Sequence, residues 1–547
     1  MNSPSFQDLF AQQLDRQPEA VAVVDAPNRT EFISGSPRRV TWSQLDQEID
    51  RVAERLVNAG AGAGTAVGYQ LANSVELVAT LLACFRIGAV AVPFPIQHRS
   101  HEIGEGISVA GISVMVTAPR PDRADQFAII DTAIAASGRT VSVIDITDDA
   151  GDISDASGDA AAQSAARASH GSASPAVDRP VTICWTSGTT GTPKGVPRNT
   201  AMWLASGSVQ VEQIGLTDTD RILCPFPLVN MAGIGGMLVP WLIAGAELHL
   251  HQPLNLPVFL GQIASEQITY TVAPPAILNM LLLDDSLVDP KGFASLHRIA
   301  SGAAPLDPWM VKGWADKGVE IINIFGSNEG AALISTAREV PDPELRARCF
   351  PQPPANRVQT KLIDVPTGDE IVEPGLPGEL RFRGPTVFHG YVGSDGVEFD
   401  EDGYFCTGDV FEWVDVESEP RLLRFVDRVK DIVIRGGMNV SAAEVEALVM
   451  ASGLFTECAV IGYPDAALGQ RVGLVGVPVP PPDSTDGDTA SDNGQEILAS
   501  VVAHLRDLGV ASYKLPEKLE LVESLPRNAT GKVLKVELRQ AWEAAAQ

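Results

Sequence analysis

The sequence predicts an α/β protein whose chain ends in a smaller α+β part. Three observations predict it. Helix-like stretches alternate with strand-like runs from residue 41 onward, and those runs are continuously apolar. From about residue 428 the pattern changes to short strands mixed with amphipathic helices. At 547 residues the chain is also too long for one ordinary core.

The elements follow in order. A helix is predicted over residues 41–59, because Thr41 with Gln44 forms a capping box and Leu45, Ile49, Val52, Leu56 and Val57 recur on one face. Gly60, Gly62 and Gly64 end it. A strand over 66–71, a helix over 74–87 and an apolar strand over 89–93 come next. Apolar strands joined through a helix imply a parallel sheet covered on both faces. Residues 148–178 are almost all Asp, Ala, Ser and Gly and read as a mobile linker inside the large part. The apolar run 231–246 is broken by glycines and Pro240, is too short to cross a bilayer, and reads as a buried segment. A second linker is predicted over 481–494. The helix after it carries Ile497, Leu498, Val501, Val502, Leu505 and Leu508 on one face, with Gly509 as its stop.

Composition narrows the partners. A net charge of −29, from 69 acidic and 40 basic side chains, disfavours nucleic acid and anionic membrane. The six cysteines are scattered without CxxC spacing, as expected of reduced thiols in a cytoplasmic protein and not of a disulfide framework or zinc site. The first twenty residues are polar, with Asp8 and Asp15, unlike a secretory signal. A soluble protein without a transmembrane segment is the expectation.

One stretch carries the chemistry. Thr186-Ser187-Gly188-Thr189-Thr190-Gly191-Thr192-Pro193-Lys194-Gly195 follows a short apolar run, residues 181–185. Its glycines let backbone N–H groups approach an anion, its hydroxyls add donors, and Lys194 adds charge. That set suits a polyphosphate. It is not the usual P-loop, since no Gly-Lys pair is followed by Ser or Thr. Gly233-Ile234-Gly235-Gly236 fails as a dinucleotide fingerprint, because Leu238 holds the third glycine position.

The stretch resembles the phosphate-binding signature of the acyl-adenylate-forming (AMP-binding) superfamily, which includes acyl-CoA synthetases and acid–CoA ligases. Further segments resemble its other motifs, in the same order, over nearly the whole chain. The resemblance implies the adenylate-forming enzyme fold: a large layered α/β N-terminal domain, residues 1–429, and a small mobile α+β C-terminal domain, residues 430–547. It implies ATP, Mg2+ and coenzyme A. Phosphate binding falls on Thr186, Ser187, Gly188, Thr189, Thr190, Gly191 and Lys194. Gly302, Ala303 and Ala304, in Ser301-Gly302-Ala303-Ala304-Pro305, form one wall of an adenine slot. Phe325 forms the other, since stacking on a base needs only a flat π face. Asn323 bonds the adenine amino group, Gly326 and Asn328 belong to the same segment, and Glu329 holds Mg2+, a cation that prefers oxygen ligands. Asp409, closing Tyr404-Phe405-Cys406-Thr407-Gly408-Asp409, takes both ribose hydroxyls. Arg428 contacts the ribose or phosphate, Lys430 is the hinge, and Gly436 with Gly437 lines the thiol tunnel. Lys532, in residues 525–534, is the adenylation lysine, a cation placed where transition-state charge builds. The chain departs from the pattern at Asn328, at Phe325 in place of the commoner Tyr, and at Asn230 in place of His. Gly390-Tyr391 reads as structural.

The resemblance assigns the acyl pocket to residues 225–236 and the surroundings of Gly326, with Asn230, Met231, Gly235 and Gly326 as its lining. No Asp lies between residues 225 and 241 to pair a buried ammonium, so an amino acid is not expected. Gly326 leaves room beyond the smallest acids. Gly233, Gly235 and Gly236 either widen the pocket or serve helix packing, and the sequence leaves both readings open. Residues 325–330, 196–198 and 513–516 together resemble aryl- and alicyclic-acid ligases. The implied reaction activates a medium- or long-chain fatty, aryl or alicyclic carboxylic acid to acyl-AMP and then acyl-CoA, as in fatty acid metabolism. Two alternatives stand beside it. One is a ligase that loads an acyl carrier protein, and the other is a non-catalytic relative that binds nucleotide or acid.

Overall fold

The computed structural model describes residues 4–147, 179–186, 194–284, 287, 292–302, 304–330, 332–415, 421–435, 438–465, 468–479, 494–508, 510, 512–527 and 533–546. They form two compact units, Met1–Gln359 with Phe382–Phe405, and Thr360–Arg381 with Cys406–Gln547.

The first unit contains two mainly parallel sheets. In one, Val114–Thr117, Ala66–Tyr69, Val90–Pro93 and Thr182–Thr186 lie side by side in that order. Ala66–Tyr69 pairs in parallel with both neighbours. Every residue of the first three strands is buried, as apolar strands covered on both faces require. The predicted first helix is Trp42–Asn58, and its capping box forms: Thr41 Oγ1 accepts from the Gln44 N–H at 3.2 Å and Gln44 Oε1 from the Thr41 N–H at 3.0 Å. Leu45, Ile49, Val52 and Leu56 are buried, but Val57 is 39% exposed. One residue past Leu56 turns the side chain about 100° off the apolar stripe.

Trp42 stacks on Trp241 at 4.8 Å, which ties that helix to the apolar run 231–246. The run is mostly buried, as predicted, with Ala232 exposed, and forms a π-helical stretch Met231–Leu238 followed by the helix Val239–Ala244. No helix among the described residues is long and apolar enough to cross a membrane.

The other sheet of this unit orders Ala332–Ser335, Glu320–Gly326, Arg298–Gly302, Tyr270–Val272, Arg221–Cys224, Glu247–Leu250, Val21–Val24 and Arg39–Thr41. The five strands from Glu320–Gly326 to Glu247–Leu250 are parallel. Strand order reverses at Arg221–Cys224, whose sequence successors lie on opposite sides of it. Such a reversal opens a crevice outside the carboxyl ends of the strands.

In the second unit Phe405–Val414 pairs antiparallel with Leu422–Arg428. A further sheet orders Met438–Val440, Val433–Arg435, Gly469–Pro478 and Phe455–Asp465, with Lys518–Leu521 parallel to Gly469–Pro478. The helices Ala442–Met450 and Gly494–Asp507 share one core with it, through Val445, Val449, Val460, Val472, Val501 and Leu505. Gly494 begins a helix rather than ending a linker. Leu508 lies beyond that helix and is 53% exposed, so it leaves the predicted apolar face. The predicted linker 148–178, residues 481–493 and Gly509 lie outside the described residues.

Candidate active site

Thr182–Thr186 and Lys194–Arg198 form an antiparallel hairpin in which Thr186 faces Lys194 across the ladder. Thr186 and Lys194, the described residues that flank the segment 187–193, are thus register partners. Its Ser187, Gly188, Thr189, Thr190 and Gly191 lie outside the described residues, as do Ala303, Gly436, Gly437 and Lys532. The Lys194 ammonium sits 4.7 Å from the centre of the Tyr391 ring, a cation–π contact. The Tyr391 hydroxyl donates to Glu329 Oε1 at 2.7 Å. Burial, then the Glu329 carboxylate, pushes that hydroxyl well above its usual range, so it stays a donor. Glu329 is itself buried, at 8% exposure. Tyr391 thus links two predicted nucleotide residues, Lys194 and Glu329, although the sequence presented it only as structural.

Alternation along Glu320–Gly326 separates two sets of residues, because successive side chains on a strand point to opposite faces. Asn323 and Phe325, predicted to follow a strand, lie within this one. Asn323 Nδ2 donates to the carbonyls of Arg346 and Ala347 at 3.1 and 2.9 Å. What remains to it is the acceptor Oδ1, the polarity that suits an adenine amino group. Phe325 meets Phe350 edge-on, with ring centres 6.3 Å apart. Ile324 and Gly326 line a cavity instead. Beside them, a Cβ on Gly302 would lie 2.0 Å from the Ile324 carbonyl oxygen, so only glycine fits there. Ala304 follows that strand and is exposed.

The cavity has a volume of about 350 Å³. It lies at the carboxyl ends of the parallel strands, where Val272, Ala300 and Ile324 contribute. Asn230, Met231, Gly235 and Gly326 all line it. Asn230 caps the π-helical stretch, its Oδ1 accepting from the Gly233 N–H at 3.2 Å. The three glycines divide. A Cβ on Gly233 would strike the Pro227 carbonyl oxygen at 2.0 Å, so that glycine serves packing. At Gly235 it would meet Met231 Sδ at 2.4 Å, and at Gly236 only the Met231 carbonyl oxygen at 3.8 Å. Gly236 therefore leaves cavity space. Asn328 is more committed than its sequence suggested. Its Oδ1 accepts from the Met231 N–H at 2.8 Å and its Nδ2 donates to the Trp185 carbonyl at 2.9 Å. One N–H remains for an outside acceptor.

Arg198 holds this region together. It is 1% exposed and donates to the Asn328 carbonyl at 3.2 Å, the Thr386 carbonyl at 2.7 Å, the Met202 carbonyl at 3.3 Å and Ser206 Oγ at 3.2 Å. Its guanidinium lies 4.6 Å over the Trp203 ring. Burial lowers its pKa to about 10, so it remains a cation at neutral pH. The available signal was an arginine that closes the short strand Lys194–Arg198, four residues after Lys194.

In the second unit Asp409 and Arg428 are register partners, with Arg428 Nε 3.1 Å from Asp409 Oδ1. Asp427 Oδ2 accepts from Ser441 Oγ at 2.9 Å and the Ala443 N–H at 3.0 Å, which fixes the start of Ala442–Met450. Lys430 lies in the 3-10 turn Val429–Asp431, directly after the Leu422–Arg428 strand. Arg527 and Val533 form an isolated antiparallel bridge. Between them, residues 528–532, with Lys532, lie outside the described residues. Among the described residues no cluster of three or more His, Cys, Asp or Glu could cage a metal. A single buried carboxylate such as Glu329 suits Mg2+, which binds through one or two carboxylates plus substrate phosphates.

The family model for AMP-binding enzymes matches residues 10–392, and that for the AMP-binding enzyme C-terminal domain matches residues 444–532. The chain belongs to the AMP-binding enzyme family. It is 29% identical over 523 residues to an indoleacetate–CoA ligase of Aromatoleum aromaticum, covering 92% of this chain and 93% of that one. It is 26% identical over 551 residues to a medium-chain fatty-acid–CoA ligase of Escherichia coli K12, covering 98% and 90%. The ATP-bound crystal structure of MatB from Rhodopseudomonas palustris matches with a TM-score of 0.78 at 25% identity, covering 100% of each chain. The fold is accordingly that of the adenylate-forming enzymes, a large α/β domain and a small C-terminal domain of strands and helices.

Proposed function

We propose that the protein is an AMP-forming acid–thiol ligase that converts a carboxylic acid to its coenzyme A thioester. The observation that carries this reading is the Glu320–Gly326 strand. It turns Asn323 and Phe325 one way and Ile324 and Gly326 the other, toward the cavity, and runs on into the buried Glu329. A nucleotide against one face and an acid against the other would meet where the strand ends.

In the first half-reaction a carboxylate oxygen of the acid attacks the α-phosphorus of ATP and pyrophosphate leaves. Thr186, Ser187, Gly188, Thr189, Thr190, Gly191 and Lys194 hold the phosphates. Gly302, Ala303, Ala304 and Phe325 flank the adenine, and Asn323 Oδ1 accepts from its amino group. Asp409 takes the ribose hydroxyls, with Arg428 beside it. Glu329, oriented by the Tyr391 hydroxyl, is the ligand for Mg2+, which supplies charge neutralisation on the phosphates when bound. Lys532 bridges the carboxylate and the α-phosphate and stabilises the charge that builds there. Residues 430–547 then turn about Lys430, and Gly436 and Gly437 line the path of the thiol. The thiol sulfur attacks the acyl carbon, AMP leaves, and the thiol proton passes to solvent.

Asn230, Met231, Gly235 and Gly326 line the acyl pocket in this reading. A cavity of about 350 Å³ takes a medium-chain fatty, aryl or alicyclic acid. Relatives named for indoleacetate and for medium-chain fatty acids agree with that range. The free, mostly buried thiols fit a cytoplasmic setting. The test is AMP and thioester release from ATP over a panel of acids, with and without coenzyme A. Thioester that depends on coenzyme A is the expected result. Acyl-AMP that accumulates untouched by coenzyme A would point to an acyl carrier protein as acceptor. No AMP release with any acid would overturn the reading.

A further inference from the structure

Tyr391 touches Glu329 with its hydroxyl and Lys194 with its ring, and the chain around it is fastened to the same two residues. Three residues earlier, the Phe388 N–H donates to the Glu329 carbonyl at 2.8 Å. One residue later, the Val392 N–H donates to the carbonyl of Gly195, the neighbour of Lys194, at 2.9 Å. The N–H of Tyr391 itself goes elsewhere, to Glu398 Oε1 at 2.9 Å.

Glu398 belongs to none of the motifs in the sequence. Its other oxygen accepts from Ser394 Oγ at 2.6 Å, so its carboxylate closes the turn that runs from Tyr391 back to Glu398. The carboxylate lies against Gly390, where a Cβ would stand 2.9 Å from Glu398 Oε1. Gly390 also has a φ of +121°, so glycine supplies both the room and the backbone conformation. The next residue, Phe399, packs on Phe388 with ring centres 5.6 Å apart, and Phe388 meets Tyr391 edge-on at 4.9 Å. Both ends of the turn therefore share one aromatic cluster. Burial raises the Glu398 carboxyl, but the Ser394 hydroxyl, the Tyr391 N–H and the Lys194 charge outweigh it and hold the group below the usual range.

Resting on the ligase reading above, we infer that Glu398 is a positioning residue for Mg2+ and ATP. By fixing the Tyr391 backbone it holds the hydroxyl on Glu329 and the ring under Lys194 at once, so the metal ligand and the phosphate cation are set as one unit. Glu398 acts through Tyr391. With the backbone fixed, a tyrosine has only two torsions left to place ring and hydroxyl together. The hydroxyl engages Glu329 Oε1, which leaves Oε2 for a cation. The face of the same ring meets the Lys194 ammonium. Loosening Tyr391 therefore disturbs both contacts in one move, and Mg2+ then strengthens ATP binding less than before.

The test is calorimetric binding of ATP to the full chain without any acid, once with Mg2+ and once with EDTA. The ratio of the two affinities is the Mg2+ enhancement, and it is read without turnover. Tyr391→Phe should cut that ratio by about tenfold, the worth of one hydrogen bond to a charged group. Glu398→Ala should cut it by roughly three- to tenfold. The double variant should lose no more than Tyr391→Phe alone, because the two residues act in series. Glu398→Gln keeps an acceptor for the Tyr391 N–H and should return most of the enhancement. If Glu398→Ala does not fold by thermal melting, Glu398→Asp, one methylene shorter, is read in its place. An enhancement unmoved in the folded Glu398 variants, or losses that multiply in the double variant, overturns this inference and leaves the ligase reading standing. A wild-type chain that binds no ATP at all overturns both.

Discussion

Two neighbours on one strand, Asn323 and Ile324, are held by different kinds of surroundings. Asn323 donates to two carbonyls contributed by residues 346 and 347, and its partner on the same face, Phe325, meets the ring of Phe350. Among the described residues, these supports come from one short stretch of chain. Ile324 and Gly326 open on a cavity assembled from distant pieces, among them the helix Thr200–Ile214, Met231, Val272, Pro351 and Thr386. One face is built locally and the other is gathered from the whole unit. The difference teaches that substitutions on the first should act alike on every acid, whereas those on the second should act acid by acid.

The hardest test of that contrast is Glu329→Gln. It should lower ATP–pyrophosphate exchange by about 10²–10³ with every acid tried, in the range found when one transition-state stabilising group is removed. A loss confined to some acids would break the comparison. Gly326→Leu should act in the opposite manner. It should cut kcat/KM for the bulkiest acid by roughly 10–200-fold, the worth of a few methylenes in an apolar pocket, while the KM for ATP stays put. Steady-state kinetics on a short and a bulky acid would check it.

The glycines sharpen the comparison through stability. Gly233→Ala, whose Cβ would lie 2.0 Å from a backbone oxygen, should destabilise by more than about 2 kcal/mol in chemical denaturation. Gly236→Ala, with only a 3.8 Å contact, should stay within about 0.5 kcal/mol and act on acid size instead. Similar losses in both would mean that the two glycines share one role. An effect between those of the two glycines is expected from Tyr391→Phe. Losing one hydrogen bond to a carboxylate should raise the Mg2+ requirement of the exchange reaction by about tenfold, measured by metal titration.

How much of this was legible follows the same division. The helix Trp42–Asn58 and the parallel strands around it could be read because capping residues and apolar runs are local signals. The limits of those signals show at Val57 and Leu508, where an apolar residue at the end of a helix turns to solvent. In the candidate site, segments such as 323–329 stood out because their residues are contiguous. Thr386 did not, since nothing in a Gly-Pro-Thr stretch announces that its carbonyl meets Arg198. Arg198 was visible only as part of the 196–198 resemblance, and its four acceptors lie on three separate segments. Tyr391 was passed over because a Gly-Tyr pair is ordinary and its contact with Glu329 spans 62 residues.

The alternation of the Glu320–Gly326 strand has one last consequence, for how this enzyme can be redesigned. In the proposed reading odd-numbered positions answer to one small molecule and even-numbered positions to another, so side chains could be exchanged on one parity without disturbing the other. Chain length offers no such freedom. Deleting a single residue from the strand would swap the two parities beyond the cut, pointing the ring of Phe325 into the cavity and a bare glycine where that ring had been. Libraries for a new acid should therefore vary identity at positions 324 and 326 and leave the residue count untouched.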